Sequence, residues 1–288
     1  MSVTRIFMRF PQFKEKVFTM SYDDGVVQDK RLIDIMKKNG LKGTFNINSG
    51  LFAAIGGQEK GRMTREECVA VYRQSGNEVA VHGEKHLSLS AVDIGMAMND
   101  IIQDRKNLES LFGKPIRGMA YANGTNATSK MVAEMMENCG IRYARTTEST
   151  HSFDIPATQD EWLLLPATCH HNDKMLFELA KDFLETPPVS YYWRQCAKMF
   201  YLWGHSYEFD NDNNWDVIER FAEYIGNRED VWYATNMEIY QYIRAYDSLE
   251  WAIGCNTVYN PSAIDVYLDF YGEKVLAKAG KITNLAME

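Results

Sequence analysis

Two adjacent carboxylates, Asp23 and Asp24, end a short apolar segment and directly precede Gly25. The apolar segment, residues 17–20, predicts a buried β-strand, and neighbouring side chains leave a strand in opposite directions. Gly25 permits a tight turn after the two carboxylates. Asp23 and Asp24 can therefore take different chemical roles at the end of one strand.

Histidines supply the second part of a candidate site. His82 and His86, in His-Gly-Glu-Lys-His, are four residues apart, which places both imidazoles on one face of a helical turn. This is the spacing of paired metal ligands, although the sequence is not the H-E-x-x-H of the zincins. A carboxylate as third ligand would leave one position open for water, as in catalytic metal sites. A further histidine, His205, ends another apolar segment.

The elements that must position these residues alternate between strand and helix patterns. Strands are predicted at residues 17–20, 43–48, 78–81, 116–121, 141–145, 162–167, 199–203 and 231–235. Helices are predicted at residues 29–39, 64–76, 91–112, 128–139, 173–184, 215–225 and 237–249. Such alternation indicates an α/β fold with a parallel sheet, and the number of strands favours a closed (β/α) barrel over an open doubly wound sheet.

The polar residues with chemical potential follow the predicted strands or stand at their ends. They are Asp23, Asp24, His82, Asn123, Arg145 and His205. The carboxyl ends of parallel strands share one rim of a barrel or one edge of an open sheet, so we expect these side chains to meet. Residues 1–250 are predicted to form the barrel, and residues 251–288, with shorter strand patterns, a small C-terminal β appendage.

Bulk composition excludes some classes of function. The chain has 288 residues, a net charge of −8 and a pI near 5.4, which argues against a nucleic-acid binder or a partner of anionic membranes. No apolar segment approaches the roughly 18 residues that a membrane helix needs, and residues 1–16 have no continuous apolar core. The five scattered cysteines indicate reduced thiols. We therefore expect a cytoplasmic protein without membrane insertion.

Three motifs resemble one known family. Ser21-Tyr22-Asp23-Asp24-Gly25, His82-x-x-x-His86 and Leu202-Trp203-Gly204-His205 look like motifs one, two and five of the polysaccharide deacetylases, the NodB-homology proteins of carbohydrate esterase family 4. The resemblance implies a distorted (β/α)7-8 barrel and metal-dependent removal of acetyl groups from sugars. It also implies that Asp24, His82 and His86 hold one divalent metal, with Asp23 as general base and His205 as general acid. Zinc suits this donor set, although other first-row divalent metals bind such ligands too.

The chain departs from this family in two motifs. The third motif is usually R-x-P-Y-G, and its nearest match here is Ala120-Tyr121-Ala122-Asn123-Gly124, with alanine in place of the arginine. Arg117 and Arg145 are both candidates to replace that arginine. The backbone N–H near Asn123 can still serve as an oxyanion donor, because that role needs no side chain. For the fourth motif, Asp-Trp, only residues 160–162 are suggestive.

The resemblance implies an N-acetylated sugar or glycan precursor as substrate. Candidate substrate contacts are Tyr121, Asn123, Arg145, Trp203 and Tyr207. A small cyclic-amide or other non-sugar amide hydrolase of the same fold is one alternative. A non-catalytic, metal-retaining carbohydrate-binding barrel is another, although retention of Asp23 and His205 argues against it. Histidines 151, 170 and 171 are predicted to be loop or surface residues, and Asn46 and Asn48 are candidates for the rim.

Overall fold

The helices and strands follow each other along most of the chain. The computed structural model describes residues 5–55, 61–124, 130–185 and 196–285. The strands are β1 (Ile6–Arg9), β2 (Lys16–Asp23), β3 (Thr44–Ile47), β4 (Glu78–Val81), β5 (Gly118–Ala120), β6 (Tyr143–Ser149), β7 (Leu165–Ala167), β8 (Cys169–His170), β9 (Lys198–Gly204), β10 (Val231–Tyr233), β11 (Glu250–Trp251), β12 (Thr257–Tyr259), β13 (Val266–Phe270), β14 (Glu273–Ala277) and β15 (Ile282–Asn284). The helices are α1 (Asp29–Lys38), α2 (Arg65–Ser75), α3 (Ile94–Phe112), α4 (Lys130–Asn138), α5 (Gln159–Leu163), α6 (Leu176–Glu185), α7 (Tyr207–Asn211), α8 (Trp215–Ile225) and α9 (Asn236–Asp247).

A parallel sheet forms the centre of the fold. Within the described residues it has nine strands, in the order β7-β6-β5-β4-β3-β2-β9-β8, with β10 paired to β2. Only Thr168 separates β7, which pairs with β6, from β8, which pairs with β9. The two strands at the ends of the order are therefore consecutive in the chain, and the sheet curls in the manner of a distorted barrel. This confirms the predicted α/β fold with a parallel central sheet.

Amphipathic helices cover the outside of the sheet. Helix α1 buries Leu32, Ile33, Ile35 and Met36 against the sheet's apolar strands, including the fully buried Phe18 and Phe45. Residues three and four apart in a helix share one face, so this spacing gives α1 a single apolar side. The N-terminus of α2 is closed by the predicted capping box, in which the Thr64 side chain accepts from the backbone N–H of Glu67.

Two predicted elements coincide with observed ones, and one prediction is wrong. The predicted strand 78–81 is β4, and the predicted helix 215–225 is α8. The predicted strand 162–167 is wrong in its first part, because Trp162 lies in α5. That helix begins after Thr158, which forms a capping box with Glu161. The predicted start of the fourth helix, Thr128, lies outside the described residues.

The C-terminal residues form two small antiparallel sheets. One has the order β11-β12-β15, and the other joins the N-terminal strand β1 to β13 and β14. Their shared core includes Leu249, Val258 and Phe270. The division into residues 1–250 and 251–288 stays a prediction, and residues 286–288 are not among those described. No helix in the described part of the chain is both long and apolar enough to span a membrane.

Candidate functional site

The end of β2 places the two adjacent aspartates. Every residue of β2 is buried, and Asp23 is its last residue. Asp24 follows with a positive φ of 86°, and Gly25 with a φ of 66°. Side chains rarely tolerate this left-handed region, so the surroundings must hold Asp24 in place. The Asp24 backbone N–H donates to the carbonyl oxygen of Asn46, 2.9 Å away.

Asp24, His82 and His86 form a group with metal-binding geometry. The Nε2 atoms of the two histidines are 3.2 Å apart, and Asp24 Oδ1 lies 3.7 Å from His86 Nε2 and 4.0 Å from His82 Nε2. His82 Nδ1 is 2.9 Å from the carbonyl oxygen of Ala120. A carbonyl only accepts, so Nδ1 carries the proton and the lone pair of Nε2 faces the group. The donor set therefore fits a divalent metal.

The protonation of His86 also fits ligation. Burial lowers the pKa of His86 to about 4, and the neighbouring His82 adds to the effect. The imidazole is therefore neutral near pH 7, and the neutral form is the one that binds a metal.

Helix α3 anchors the loop that carries both histidines. Asp104 accepts from the backbone N–H of His82 at 3.0 Å, and Asp100 accepts from the backbone N–H of Lys85 at 2.8 Å. The two carboxylates are four residues apart and share one helix face. They hold the loop that carries the histidine pair without using the imidazole nitrogens.

Asp23 is held by a cation and an amide. Its Oδ2 is paired with Arg145, and its Oδ1 accepts from Asn46 Nδ2 at 2.8 Å. Burial alone would raise the pKa of this carboxyl. The cation of Arg145, with His82 and His205 nearby, instead lowers the pKa of Asp23 to about 2. Asp23 is therefore ionised at neutral pH, with both oxygens in defined positions.

Of the two arginines that could replace the arginine of the third motif, Arg145 lies at the site and Arg117 does not. Ala120 of β5 and Arg145 of β6 are register partners in adjacent parallel strands. Arg145 therefore stands beside the alanine that occupies the motif arginine's position, and its side chain reaches Asp23. Arg117 precedes β5 at the opposite end of the sheet, where it lines a cavity of about 360 Å³.

His205 belongs to a cluster of imidazoles around Glu208. His205 Nε2 is 3.8 Å from Asp23 Oδ2, and His205 Nδ1 is 3.4 Å from Glu208 Oε1. His170 and His171 approach the other oxygen, Oε2, at 3.2 and 3.1 Å. The predicted loop histidines therefore reach the site, although His151 pairs with an aspartate of another loop.

Charge in this cluster favours a protonated His205. Burial opposes its protonated form, but the carboxylates of Glu208 and Asp23 raise the pKa of His205 above its ordinary value. Burial would raise the pKa of Glu208, yet the surrounding imidazoles hold it well below its usual range. Glu208 is thus an anion that supports the charged form of His205.

The atoms of His170, His205 and Glu208 lie close enough to resemble a second metal group. The hydrogen bonding of His170 argues against this interpretation. His170 Nδ1 accepts from the backbone N–H of Asn172 at 3.1 Å, so in the neutral ring the proton is on Nε2, which faces Glu208. A metal-bound histidine needs the opposite arrangement. The cluster is therefore a set of three imidazoles packed around one carboxylate.

The predicted substrate contacts divide into buried and accessible residues. Tyr121 is 1 % exposed and its hydroxyl donates to the carbonyl oxygen of Leu163, so the prediction that it contacts substrate is wrong. Trp203 is 9 % exposed and packs between the guanidinium of Arg145 and the ring of His170. Both rings fill space behind the site, which strand-end position alone did not reveal.

Asn123 and Tyr207 lie at the accessible side of the site. The amide of Asn123 donates to the carbonyl oxygen of His86 at 2.8 Å, which links the end of β5 to the histidine loop. The ring of Tyr207 lies 5.2 Å from that of His205. Arg145, in contrast, is fully buried, and its guanidinium pairs with Asp23.

Two further charged residues, Glu208 and Arg62, lie in the site, and sequence reasoning missed Arg62. Glu208 follows His205 by three residues, a spacing that can place both side chains on one side of a helical turn. Arg62 donates to Asp24 Oδ1 at 2.8 Å. It comes from a loop between β3 and α2, and no local pattern in the sequence marks it.

Comparison with known proteins supports the assignment of the first two motifs. The family model described as polysaccharide deacetylase matches residues 11–144, a range that includes the paired aspartates and the histidine pair. No curated protein matches the chain.

Solved structures share the fold. A Mycobacterium smegmatis protein described as a polysaccharide deacetylase is 16 % identical, with a TM-score of 0.60 over 83 % of this chain and 93 % of that chain. A Pseudomonas aeruginosa protein with the same description is 17 % identical, with a TM-score of 0.54 over 78 % and 89 %. The allantoinase PuuE is 14 % identical, with a TM-score of 0.54 over 81 % and 91 %. At these identities the likeness shows the fold alone. The family match shows that residues 11–144 of the chain are similar to the polysaccharide deacetylases. This confirms the resemblance predicted from the motifs.

Proposed function

We propose that the protein is a metal-dependent hydrolase that removes an acetyl group from an N-acetylated sugar or glycan precursor. The observation that carries this proposal is the group of Asp24, His82 and His86, with Asp23 and His205 at the same end of the sheet. Metal ligands beside one anionic and one cationic proton-transfer group are the parts that amide hydrolysis requires. The family match over residues 11–144 supports the same reaction.

Asp24, His82 and His86 would hold the metal in this proposal. Two imidazoles and one carboxylate suit zinc, and other first-row divalent metals accept the same donors. When bound, the metal supplies polarisation of the acyl carbonyl and lowers the pKa of a water molecule.

Asp23 and His205 would move the protons. Asp23, ionised because its pKa is about 2, accepts a proton from the attacking water while Arg145 and Asn46 hold its two oxygens. His205 enters the reaction protonated and donates its Nε2 proton to the departing amine as the C–N bond breaks. The products are acetate and the free amino sugar. The backbone N–H near Asn123 is the proposed oxyanion donor.

Short substrates should be preferred over long polymers. An aromatic ring can stack on a sugar only where its face is exposed, and the rings of Tyr121 and Trp203 are buried. Of the predicted substrate contacts, Asn123 and Tyr207 are the accessible ones. This arrangement supports recognition of one acetylated sugar unit and its immediate neighbours.

Acetate release from a defined panel tests the proposal. The panel contains N-acetylhexosamines, nucleotide sugars, chitin oligomers and small cyclic amides, each assayed with and without a chelator. Chelator-sensitive acetate release from the short sugars supports the proposal. Opening of cyclic amides without acetate release would favour the amidase alternative. If the metal-loaded protein converts no substrate of the panel, the binding-protein alternative would be favoured.

A further inference from the structure

We infer that Arg62 and Asn48 form a brace that sets the spacing between the loops carrying Asp24 and His82. Neither brace residue is among the proposed ligands, so both would act on the metal through the residues they hold. The inference rests on the proposed metal site and adds two positioning residues to it. Its consequence is that metal affinity depends on side chains beyond the three ligands.

Arg62 holds the first loop. Its Nη2 donates to Asp24 Oδ1 at 2.8 Å, and its Nη1 donates to the backbone carbonyl oxygen of Asp24. The guanidinium therefore binds both the side chain and the main chain of one ligand. Because a guanidinium is planar and rigid, these contacts define the direction of the carboxylate as well as its distance.

Asn48 connects Arg62 to the second loop. Its Oδ1 accepts from Arg62 Nη1 at 2.8 Å, and its Nδ2 donates to the carbonyl oxygens of His82 at 2.8 Å and Gly83 at 2.9 Å. Asn48 is 1 % exposed. Its oxygen and both amide protons are used, so the orientation of the amide is fixed.

The backbone at Asp24 explains why a brace is needed. Asp24 has a φ of 86° and Gly83 a φ of 83°. A left-handed conformation at a non-glycine residue persists only where the surroundings over-determine it. Arg62 bonds directly to Asp24, the strained residue, and Asn48 bonds to the carbonyl of Gly83, a glycine that adopts its φ without strain. The brace therefore ties the strained turn to the histidine loop.

Charge alone predicts the opposite effect on metal binding. The cation of Arg62 repels a divalent metal, so removing it would tighten binding if electrostatics dominated. Replacing Asn48 with aspartate adds a negative charge and would tighten binding for the same reason. The brace predicts weaker binding in both cases, so the sign of the change separates the two explanations.

The experiment measures zinc affinity of metal-stripped protein by competition with a fluorescent chelator. The first variant is Arg62→Met, which removes the guanidinium. The second is Asn48→Asp, which keeps the acceptor for Arg62 but loses the hydrogen bonds donated to the carbonyl oxygens of His82 and Gly83. Arg31→Met is the matched control, because Arg31 is an exposed ion-pair partner of Glu219 and loses the same charge. His82→Ala serves as the variant without a ligand. Thermal unfolding of each metal-free protein is measured in parallel.

We expect Arg62→Met and Asn48→Asp to bind zinc roughly 10–100-fold more weakly, the usual effect of losing a ligand's hydrogen-bonding partner. Arg31→Met should bind as the wild type does. Unchanged or tighter binding in a folded Arg62→Met or Asn48→Asp variant would overturn the brace. If Arg62→Met fails to fold, Asn48→Asp alone decides. Wild-type protein that binds zinc no better than His82→Ala would instead overturn the proposed function.

Discussion

Replacing Glu208 with glutamine should shift the alkaline limb of the activity profile to lower pH. Glu208 Oε1 is 3.4 Å from His205 Nδ1, and both side chains are roughly a quarter exposed. A close opposite charge shifts a pKa by about 1–3 units, and this exposure places the effect near the lower end. One unit corresponds to about 1.4 kcal/mol. Because Glu208 raises the pKa of His205, its loss reduces the protonated fraction about tenfold above that pKa.

The assay is the pH dependence of kcat/KM for acetate release, measured on metal-loaded protein. Asp210→Asn is the matched control, because Asp210 lies on the same short helix and pairs with Gln28 and Trp215 instead. We expect Glu208→Gln to move the alkaline limb down by about one pH unit and Asp210→Asn to leave it in place. An unmoved limb in a folded, metal-loaded Glu208→Gln protein would refute the role assigned to Glu208.

Three further predictions address the proton-transfer groups and the core. Asp23→Asn and His205→Ala should each lower turnover roughly 10²–10⁴-fold with metal content unchanged, whereas loss of metal in His205→Ala would make His205 a ligand. Arg145→Met leaves Asp23 buried without its cation and should cost about 3–5 kcal/mol in urea unfolding; a wild-type unfolding midpoint would show the pair to be dispensable. Asp29 is buried, and burial raises its pKa to about 7, so ionising it destabilises the folded state as pH rises. The free energy of unfolding of Asp29→Asn, relative to that of wild type, should therefore rise by about 1.4 kcal/mol per pH unit between pH 4 and 7. A difference in unfolding free energy that does not change with pH would contradict that ionisation.

Strand-end position predicted much of the site. Asp23, Asp24, His82 and His205 stand at the ends of strands of one parallel sheet, so their meeting followed from the fold class. Local patterns sufficed here because each residue is carried by a regular element. The same reasoning failed for Tyr121, because a residue directly after a strand can turn into the core as easily as toward the rim.

The remaining site residues depend on contacts between distant parts of the chain. Arg145 takes the place beside Ala120 only through the register of two strands, which periodicity does not specify. Arg62 reaches Asp24 from a loop 38 residues later, and no spacing rule covers such a contact. The strand predicted at residues 162–167 failed because a capping box at Thr158 starts a short helix that apolar content alone does not distinguish from a strand.

Titration of stripped protein with zinc, followed by acetate release from an N-acetylated sugar, tests the central claim most directly. If Asp24, His82 and His86 form one catalytic metal site, activity should rise linearly and level off at one equivalent of metal per chain. His82→Ala should remain inactive across the same titration. Full activity in the stripped protein, or equal activity in wild type and His82→Ala, would contradict the account.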